Sequence, residues 1–368
     1  MKRATLLATI LVVAVLSPAG ALGTAGATAT DATNAMEQDC TFPVTKTDAT
    51  GTEVTVDAEP QRIVTLSPSA AQTAWEIGAK DKVVGVTKYA TYLDGAESKA
   101  NVSGSGMTTV VREKVVAQNP DLVLAPNIIP DQTVRKLREA GLTVYKFGEA
   151  TSVEDIYAKT TLTGRLTGEC AGANETVDWM KDRVSTVEQA VEGQDSPRVL
   201  YSMRGGYTAG EGTFINKIIE AAGGTNVAAE AGISGYKSIS KEVVVERNPQ
   251  WIVFDSDRPV PDEYGATAAA KDDQTVVLDR NYVNQPAPRI VLPITKLAKT
   301  FHPEAYERAN VTTTTTATST ATSTTDRGET STTTTTTTTT VESSGQPGFG
   351  VGVAAVALAA VALLARRE

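Results

Sequence analysis

The chain has 368 residues, of which 41% are hydrophobic and 21% charged, so it is long enough for two domains with a proper core. Its net charge of −9 argues against nucleic acid and anionic membrane surfaces as partners. One histidine and two cysteines cannot supply the clustered imidazoles and thiolates of a transition-metal site.

The first 30 residues indicate export. Lys2 and Arg3 precede an apolar stretch that ends in small residues, which is typical of a signal peptide. Small residues at 19–21 and again at 25–27 offer two cleavage sites. Residues 1–30 are therefore predicted to be a signal peptide.

Residues 310–344 and 345–368 are predicted to form a stalk and a membrane-directed tail. Threonine makes up most of residues 312–340, a composition that buries no apolar surface and predicts an extended, O-glycosylated stalk. The tail is an apolar run, short for a membrane span, and two arginines behind it place its end in the cytoplasm. Asn101, Asn174 and Asn310 lie in sequons for N-glycans.

The two cysteines are Cys40 and Cys170. In an oxidising compartment an even pair of cysteines is most simply a disulfide, which would tie the mature N-terminus to the middle of the chain. Two free, buried thiols are the alternative, and the sequence leaves that choice open.

The body of the protein begins with residues 40–149, which alternate between strands and helices. An alternating pattern around Asp48–Gly51 predicts a hairpin. The apolar runs that follow predict strands at 62–66, 82–86, 122–125 and 142–147, with helices at 71–77 and 131–140. Such alternation predicts a parallel sheet that helices cover on both faces.

A helical segment at 150–193 separates this region from a second one. Ser152 and Asp155 resemble a capping box, and valines spaced by three and four residues follow. At residues 194–309 the alternation of strands and helices starts again. The predicted fold is therefore α/β, with two Rossmann-like lobes of parallel strands joined by a long connecting helix.

Motifs of enzyme chemistry are missing. His302 stands beside a proline, without the partners of a hydrolase triad, and the chain has neither a phosphate loop nor a zinc-protease motif. The glycine-rich segment Gly205–Gly212 lacks the order of the dinucleotide fingerprint, and we interpret it as a loop that lets a ligand approach the backbone. The sequence therefore predicts a protein without catalytic residues, resident metal or cofactor.

One phrase occurs twice, as EKVVAQNPDLVLA at 113–125 and as EVVVERNPQWIVF at 242–254. With RIVTLSPS at 62–69, VVGV at 83–86 and PRI at 288–290, it resembles the helical-backbone substrate-binding proteins of ABC importers over nearly all of residues 42–305. Members of that family capture vitamin B12, ferric siderophores or haem. The resemblance implies a ligand cleft between the two lobes.

The resemblance also implies roles for individual residues. Glu113 and Glu242 match the glutamates that dock into arginine pockets on the two copies of the permease. The alternative is a surface glutamate favoured by the dipole of each short helix. Carried over by position, the ligand-binding residues are Ser67, Ser69, Tyr89, Tyr92, Ser105, Met107, Asn127, Arg204, Tyr207, Tyr236, Asp255, Arg258 and Tyr282. Ordinary loop surface is the alternative for any of them.

The ligand class follows from the same residues. Tyrosines suit a flat macrocycle or a catechol by stacking, and arginines suit an anionic chelate. The vitamin B12-binding relatives place tryptophans where this chain has Asn127 and Tyr236. Cobalamin and a ferric siderophore therefore both stay open.

The tail resembles the tripartite sorting signal of haloarchaeal surface proteins, through Pro347, Gly348 and Phe349. This resemblance implies that an archaeosortase removes the tail and that a lipid anchors the protein. A plain C-terminal membrane anchor is the alternative. Either outcome places the protein on the outer face of the cytoplasmic membrane.

We therefore predict an exported solute-binding protein that delivers a metal chelate, cobalamin or a ferric siderophore, to an ABC permease dimer and its ATPase. One rival is a surface structural or adhesion protein that displays the same two lobes. A second rival is a surface enzyme built on a two-lobed metal-cluster fold. The shortage of histidine and cysteine argues against the second.

Overall fold

The structure, a computed structural model, describes residues 40–106 and 108–311. The predicted signal peptide, nearly all of the stalk, the C-terminal tail and Met107 lie outside the described residues. Among the helices of the described part, none is long and apolar enough to cross a membrane.

An antiparallel hairpin opens the described chain, as its alternating sequence predicts. It consists of β1 (Val44–Thr47) and β2 (Glu53–Val56). In the turn, the buried Asp48 carboxylate accepts a hydrogen bond from the backbone N–H of Lys146 and lies 2.6 Å from the Arg138 guanidinium. These contacts fasten the hairpin to the first lobe.

The first lobe is a parallel sheet covered by helices on both faces. In chain order its elements are β3 (Ile63–Thr65), α1 (Pro68–Glu76), β4 (Val83–Val86), β5 (Ala100–Asn101), α2 (Arg112–Val116), β6 (Leu122–Ala125), α3 (Asp131–Glu139) and β7 (Val144–Lys146). The strand order is β5-β4-β3-β6-β7. Along β6, Leu122 and Leu124 pack with α1, whereas Val123 packs with α3 on the opposite face. This period of two buries both faces of the sheet.

Two helices connect the lobes, α4 (Val153–Thr167) and α5 (Cys170–Val191). Ser152 and Asp155 form the predicted capping box at the start of α4. Gly168 ends α4 in a left-handed conformation, so the connecting segment is a pair of helices of which α5 is the longer. Gly172 permits α5 to press against α1, because a Cβ there would collide with the backbone of Ile77.

The second lobe repeats the parallel sheet. In chain order its elements are β8 (Arg198–Tyr201), β9 (Tyr207–Ala209), α6 (Phe214–Ala221), β10 (Thr225–Asn226), α7 (Val227–Glu230), β11 (Tyr236–Ser238), α8 (Lys241–Arg247), β12 (Trp251–Phe254), α9 (Ala268–Lys271), β13 (Thr275–Val277), α10 (Arg280–Val283) and α11 (Val291–Phe301). The sheet has the order β10-β8-β12-β13, and β9 pairs with β11 in a separate antiparallel ribbon. The glycine-rich segment is therefore partly a strand, where the sequence predicts a loop.

Cys40 and Cys170 form a disulfide with Cα atoms 5.8 Å apart, which confirms the predicted bridge and rules out free thiols. It ties the first described residue to the start of α5. Close by, the Lys82 ammonium lies 2.6 Å from Glu59 and 2.7 Å from Glu169, and so links the first lobe to the junction between α4 and α5.

Candidate functional site

A cavity of about 700 Å³ lies between the two lobes. Its walls come from the segments that follow the carboxyl ends of β3, β4, β6 and β7 in the first lobe and of β12 and β13 in the second. The start of α6 and the residues that lead into β11 complete it. Carboxyl ends of parallel strands are where open α/β sheets place ligands, so this cavity is the candidate site.

The wall from the first lobe carries hydroxyl, amide and aromatic groups. The Ser67 and Ser69 hydroxyls lie 2.9 Å apart at the N-terminus of α1, where Ser67 also caps the helix. The Tyr89 ring has the Lys88 ammonium 5.1 Å from its centroid. Asn127 is half-buried, and its neighbour Ile128 exposes 48% of its surface on the rim.

The wall from the second lobe carries an ion pair and an exposed ring. A carboxylate oxygen of Asp255 lies 3.5 Å from the Arg280 guanidinium, and the other accepts a hydrogen bond from Ser256. Tyr236 is 53% exposed and lines the cavity together with Phe214. A ligand in the cavity can therefore meet aromatic surface from both lobes.

Six of the ligand-binding residues predicted from the sequence line the cavity. They are Ser67, Ser69, Tyr89, Asn127, Tyr236 and Asp255. Of the rest, Ser105 is exposed in the loop between Ser103 and Val110, and Arg204 and Tyr207 are exposed around the start of β9. None of these three belongs to the lining.

Arg258 is bent back onto its own lobe. Its guanidinium lies 4.7 Å from the centroid of the Phe254 ring and donates a hydrogen bond to the backbone carbonyl of Ser202. Its Nη1 atom is buried without a hydrogen-bond partner among the described residues. Arg258 therefore shapes the second lobe beside the cleft without lining the cavity.

Tyr92 and Tyr282 hold the lobes together instead of lining the cavity. Their rings meet edge to face with centroids 6.3 Å apart. The Tyr92 hydroxyl accepts a hydrogen bond from Gln72 at 2.8 Å and donates one to Gln285 at 3.4 Å. Burial raises the pKa of Tyr92 to about 12, so the hydroxyl keeps its proton.

An ion pair between the lobes accompanies these tyrosines. The Arg289 guanidinium lies 2.7 Å from the Glu76 carboxylate, and both side chains are only 12% exposed. The backbone N–H of Arg289 donates a hydrogen bond to the side-chain oxygen of Gln72 at 2.9 Å. Together with the tyrosine contacts, this pair forms a polar network behind the cleft.

Sequence reasoning missed six polar residues of the cavity lining, and four of them follow β13. The missed polar members of the lining are Glu149, Thr213, Arg280, Asn281, Asn284 and Gln285. The rule that ligand loops follow strand ends applies equally to the segment after β13, which reads RNYVNQP. That segment was a usable signal, because its amide-rich composition is unusual for a connection between a strand and a helix.

Glu113 and Glu242 occupy equivalent places on the two lobes. Each is exposed and is the second residue of a short helix, α2 or α8. A hydrogen bond from its own backbone N–H, and then one from Arg112, lowers the pKa of the Glu113 carboxyl. In the same way, the backbone N–H of Glu242 and then the Ser240 hydroxyl lower the pKa of the Glu242 carboxyl. Both carboxylates are therefore charged at neutral pH.

These features define a two-lobed α/β binding protein whose ligand site lies between its lobes. A family model described as periplasmic binding protein matches residues 63–289, and a PGF-CTERM motif matches residues 346–368. A protein of Halobacterium salinarum described as a cobalamin-binding protein is 44% identical over 319 residues, covering 82% of this chain and 85% of that protein.

Solved structures share the fold. The periplasmic haem-binding protein RhuT from Roseiflexus sp. RS-1, in its apo form, superposes with a TM-score of 0.60 at 24% identity, covering 67% of this chain and 99% of that one. The periplasmic vitamin B12-binding protein BtuF of Vibrio cholerae superposes with a TM-score of 0.58 at 21% identity, covering 68% and 98%.

This chain belongs to the periplasmic binding protein family, and its role is that of the substrate-binding component of an ABC importer. The PGF-CTERM motif marks it as an exported protein anchored at the cell surface.

Proposed function

We propose that this protein captures cobalamin at the cell surface, delivers it to an ABC permease dimer with its ATPase, and performs no chemistry. One observation carries the choice of ligand. Four amide side chains from both lobes line the cavity, namely Asn127, Asn281, Asn284 and Gln285. Cobalamin bears carboxamides around its macrocycle, and each amide side chain offers both a donor and an acceptor to such groups.

The charge of the cavity supports the same ligand. Its charged lining residues are Glu149, Asp255 and Arg280, and the single arginine is already paired with Asp255. The excess of negative charge there would repel an anionic ferric siderophore. It would not repel the carboxamides around the corrin of cobalamin, because they are uncharged. The Halobacterium relative, described as a cobalamin-binding protein, supports the proposal independently.

Within the cavity we assign Tyr89 and Tyr236 to the faces of the macrocycle and Ser67, Ser69, Asn127 and Asp255 to its polar edge. The two tyrosines come from opposite lobes, so a flat ligand between them is held by both. Arg204, Tyr207 and Ser105 lie outside the lining, and the proposed ligand set does not include them.

The test is direct binding by the exported protein. The protein is mixed in turn with cyanocobalamin, haem and a ferric catecholate siderophore and separated from free ligand by gel filtration, and the absorbance of the protein fraction is measured. We expect stoichiometric retention of cyanocobalamin and no retention of the siderophore. Retention of haem or of the siderophore in preference to cyanocobalamin would overturn the assignment.

For delivery, we propose that Glu113 and Glu242 dock onto the two copies of the permease. The equivalent placement of two exposed, charged carboxylates on two rigid lobes supports this role. Arginine pockets on a twofold permease would receive one carboxylate each.

For attachment, we propose that an archaeosortase-type enzyme removes the tail beyond the motif at Pro347–Phe349 and that a lipid replaces it. The threonine-rich residues 310–344 then space the binding domain from the membrane. In this proposal the binding domain consists of a lobe at 40–149, a connector at 150–193 and a lobe at 194–309.

A further inference from the structure

Gln285 lines the cavity, and its amide also belongs to a chain of hydrogen bonds that crosses between the lobes. The chain starts at Arg289 in the second lobe, passes through Gln72 and Tyr92 in the first, and returns to the second at Gln285. An amide side chain can present either its oxygen or its nitrogen to a ligand. The direction of this chain decides which of the two Gln285 presents.

The backbone N–H of Arg289 sets that direction, because a backbone nitrogen can only donate. It donates to the side-chain oxygen of Gln72 at 2.9 Å, so the amide nitrogen of Gln72 is turned the other way. This nitrogen donates to the Tyr92 hydroxyl at 2.8 Å and to the backbone carbonyl of Asn281, which can only accept, at 3.5 Å. The orientation of the Gln72 amide is therefore fixed from both ends.

Tyr92 passes the direction on to Gln285. Its hydroxyl oxygen accepts the hydrogen bond from Gln72, so its single proton goes to the side-chain oxygen of Gln285, 3.4 Å away. Burial raises the pKa of Tyr92 to about 12, so this proton is in place at neutral pH. The oxygen of Gln285 is thereby turned toward Tyr92, and its nitrogen is turned away.

The amide nitrogen of Gln285 can be reached from the cavity. It has no hydrogen-bond partner among residues 40–106 and 108–311, and it is not sealed off from open space. The open space that Gln285 borders is the cavity. Its N–H groups can therefore bind a ligand there, whereas its oxygen is already engaged.

We propose that Gln285 is a ligand-binding residue that acts as a hydrogen-bond donor only, and that Tyr92 is the positioning residue that fixes this orientation from the opposite lobe. This inference rests on the proposed function, because the acceptor belongs to the captured chelate. The site then selects for a ligand with an amide or carboxylate oxygen at this edge of the cleft.

A double-mutant cycle on the full exported protein tests whether Tyr92 acts through Gln285. The dissociation constant for cyanocobalamin is measured for Tyr92→Phe, Gln285→Met and the double variant. We expect Gln285→Met to weaken binding about tenfold, since it removes the donor, and Tyr92→Phe about fivefold, since the amide of Gln285 can then rotate. The double variant should bind no more weakly than Gln285→Met, because Tyr92 then has no amide to orient.

Tyr145→Phe is the matched control for the loss of a tyrosine hydroxyl. Tyr145 is buried on β7 of the first lobe, and its hydroxyl donates a hydrogen bond to the carbonyl of Thr47 at 3.2 Å. It does not line the cavity. Tyr145→Phe should lower the thermal midpoint of the ligand-free protein and leave the dissociation constant unchanged.

Gln285→Glu tests the donor role through its pH dependence. At pH 7 the new carboxylate has no proton to donate, so binding should be at least about tenfold weaker than in the wild type. As the pH falls toward about 4 the carboxyl gains a proton and can donate again, so the ratio of the two dissociation constants should fall toward one. Taking the ratio cancels the titration of Glu149 and Asp255, which line the same cavity in both proteins.

Three kinds of result would overturn the inference while the proposed function stands. They are wild-type affinity in Gln285→Met or in Tyr92→Phe, additive losses in the double variant, and a ratio for Gln285→Glu that does not change with pH. If the wild type binds none of cyanocobalamin, haem and the siderophore, the proposed function and this inference fall together.

Discussion

Asn119 and Asn248, 129 residues apart, adopt the same left-handed backbone conformation, with φ of 43° and 44°. Asn248 is the C-cap of α8, Asn119 lies two residues beyond the C-cap of α2 at Ala117, and each precedes the proline that leads into a central strand. An arginine at the start of a neighbouring strand holds each turn, since Arg62 donates to the carbonyl of Asn119 and Arg198 to that of Asn248, both at 3.2 Å. The repetition in the sequence is therefore a repetition of backbone geometry.

The first prediction concerns these left-handed turns. Asn119→Ala and Asn248→Ala should each lower the free energy of unfolding by roughly 1 kcal/mol, because a Cβ without a polar side chain disfavours positive φ. Asn119→Gly is the matched control and should cost little, since glycine adopts this conformation freely. Asn248→Gly should cost more, because it also removes the side-chain oxygen that accepts a hydrogen bond from the backbone N–H of Ala268. Urea unfolding at equilibrium measures all four variants. Equal losses for alanine and glycine at position 119 would show that the side-chain amide matters more than the backbone.

The second prediction concerns docking. Glu113→Ala combined with Glu242→Ala should abolish cobalamin uptake by cells that depend on this protein, because both carboxylates engage the permease, while the dissociation constant of the purified protein stays unchanged. Glu154→Ala is the matched control, since Glu154 is also an exposed glutamate in the first turn of a helix, α4. Normal uptake by the double variant would contradict the docking role and revive a structural or adhesive one.

The third prediction concerns the ion pair between the lobes. Glu76→Gln should lower the free energy of unfolding by about 3 kcal/mol, because it leaves the largely buried Arg289 guanidinium without its carboxylate. Thermal or urea unfolding measures the loss. Asp94→Asn serves as control, since its partner Lys80 and its own carboxylate are on the surface, and it should leave the unfolding midpoint unchanged. A similar cost for both variants would argue against the network as a lock between the lobes.

The fourth prediction concerns acid stability through Asp48. Burial by itself would raise the pKa of Asp48, but hydrogen bonds from Thr50, Lys146 and Arg138 outweigh it and lower the pKa below its ordinary value of 3.8. The folded protein therefore binds fewer protons than the unfolded chain at acid pH, and the stabilisation is present above pH 3.8 and lost as the pH falls below it.

Asp48→Asn should accordingly be less stable than the wild type at pH 7, and the difference between them should shrink as the pH falls from 4 toward 2. Thermal midpoints across that range measure it. Asp57→Asn, at an exposed position beside the same hairpin, should track the wild type. A difference that is constant with pH would contradict the role of ionised Asp48.

The fifth prediction concerns Lys159, where a substitution should stabilise the protein. Its ammonium is buried without a hydrogen-bond partner among the described residues and lies 5.6 Å from the centroid of the Phe147 ring. Burial lowers the pKa of Lys159 from 10.5 to about 8. Between these two values the unfolded chain binds more protons than the folded protein, so stability rises with pH across that window.

Lys159→Met should therefore raise the free energy of unfolding at pH 7 by up to about 3 kcal/mol, because a buried amine no longer has to be charged or neutralised. The gain should disappear above pH 10.5, where lysine is neutral in both states. Urea unfolding at pH 7 and at pH 10.5 measures it. A loss of stability at pH 7 would show that the ammonium has a partner that favours its charge.

The strands and helices of the two sheets could be predicted because their signals are local. The runs of four apolar residues at 122–125 and 251–254 are β6 and β12, and an Asn-Pro pair separates each from the helix before it. The ribbon of β9 and β11 could not be predicted. Its strands are three residues long, polar in part and 26 residues apart, so only their pairing makes them strands.

The candidate site divides in the same way. Ser67 and Asn127 follow recognisable strands, and their positions by themselves direct them to the carboxyl edge of the sheet. Tyr92 follows a strand equally well, yet it turns to Gln72 and Gln285 at the junction of the lobes. No local pattern distinguishes these outcomes, because they depend on which side chain of the other lobe arrives opposite.

The sequence by itself determined the class of fold, the repeated unit of each lobe, the signals for export and sorting, and the absence of catalytic motifs. These follow from periodicity, composition and short-range backbone preferences. The tertiary structure decided which side chains share the cleft, that Arg289 meets Glu76 across the lobes, and that the Tyr201 hydroxyl has no hydrogen-bond partner among residues 40–106 and 108–311. Those facts depend on contacts between residues far apart in the chain, whose geometry exists only once the two lobes have packed together.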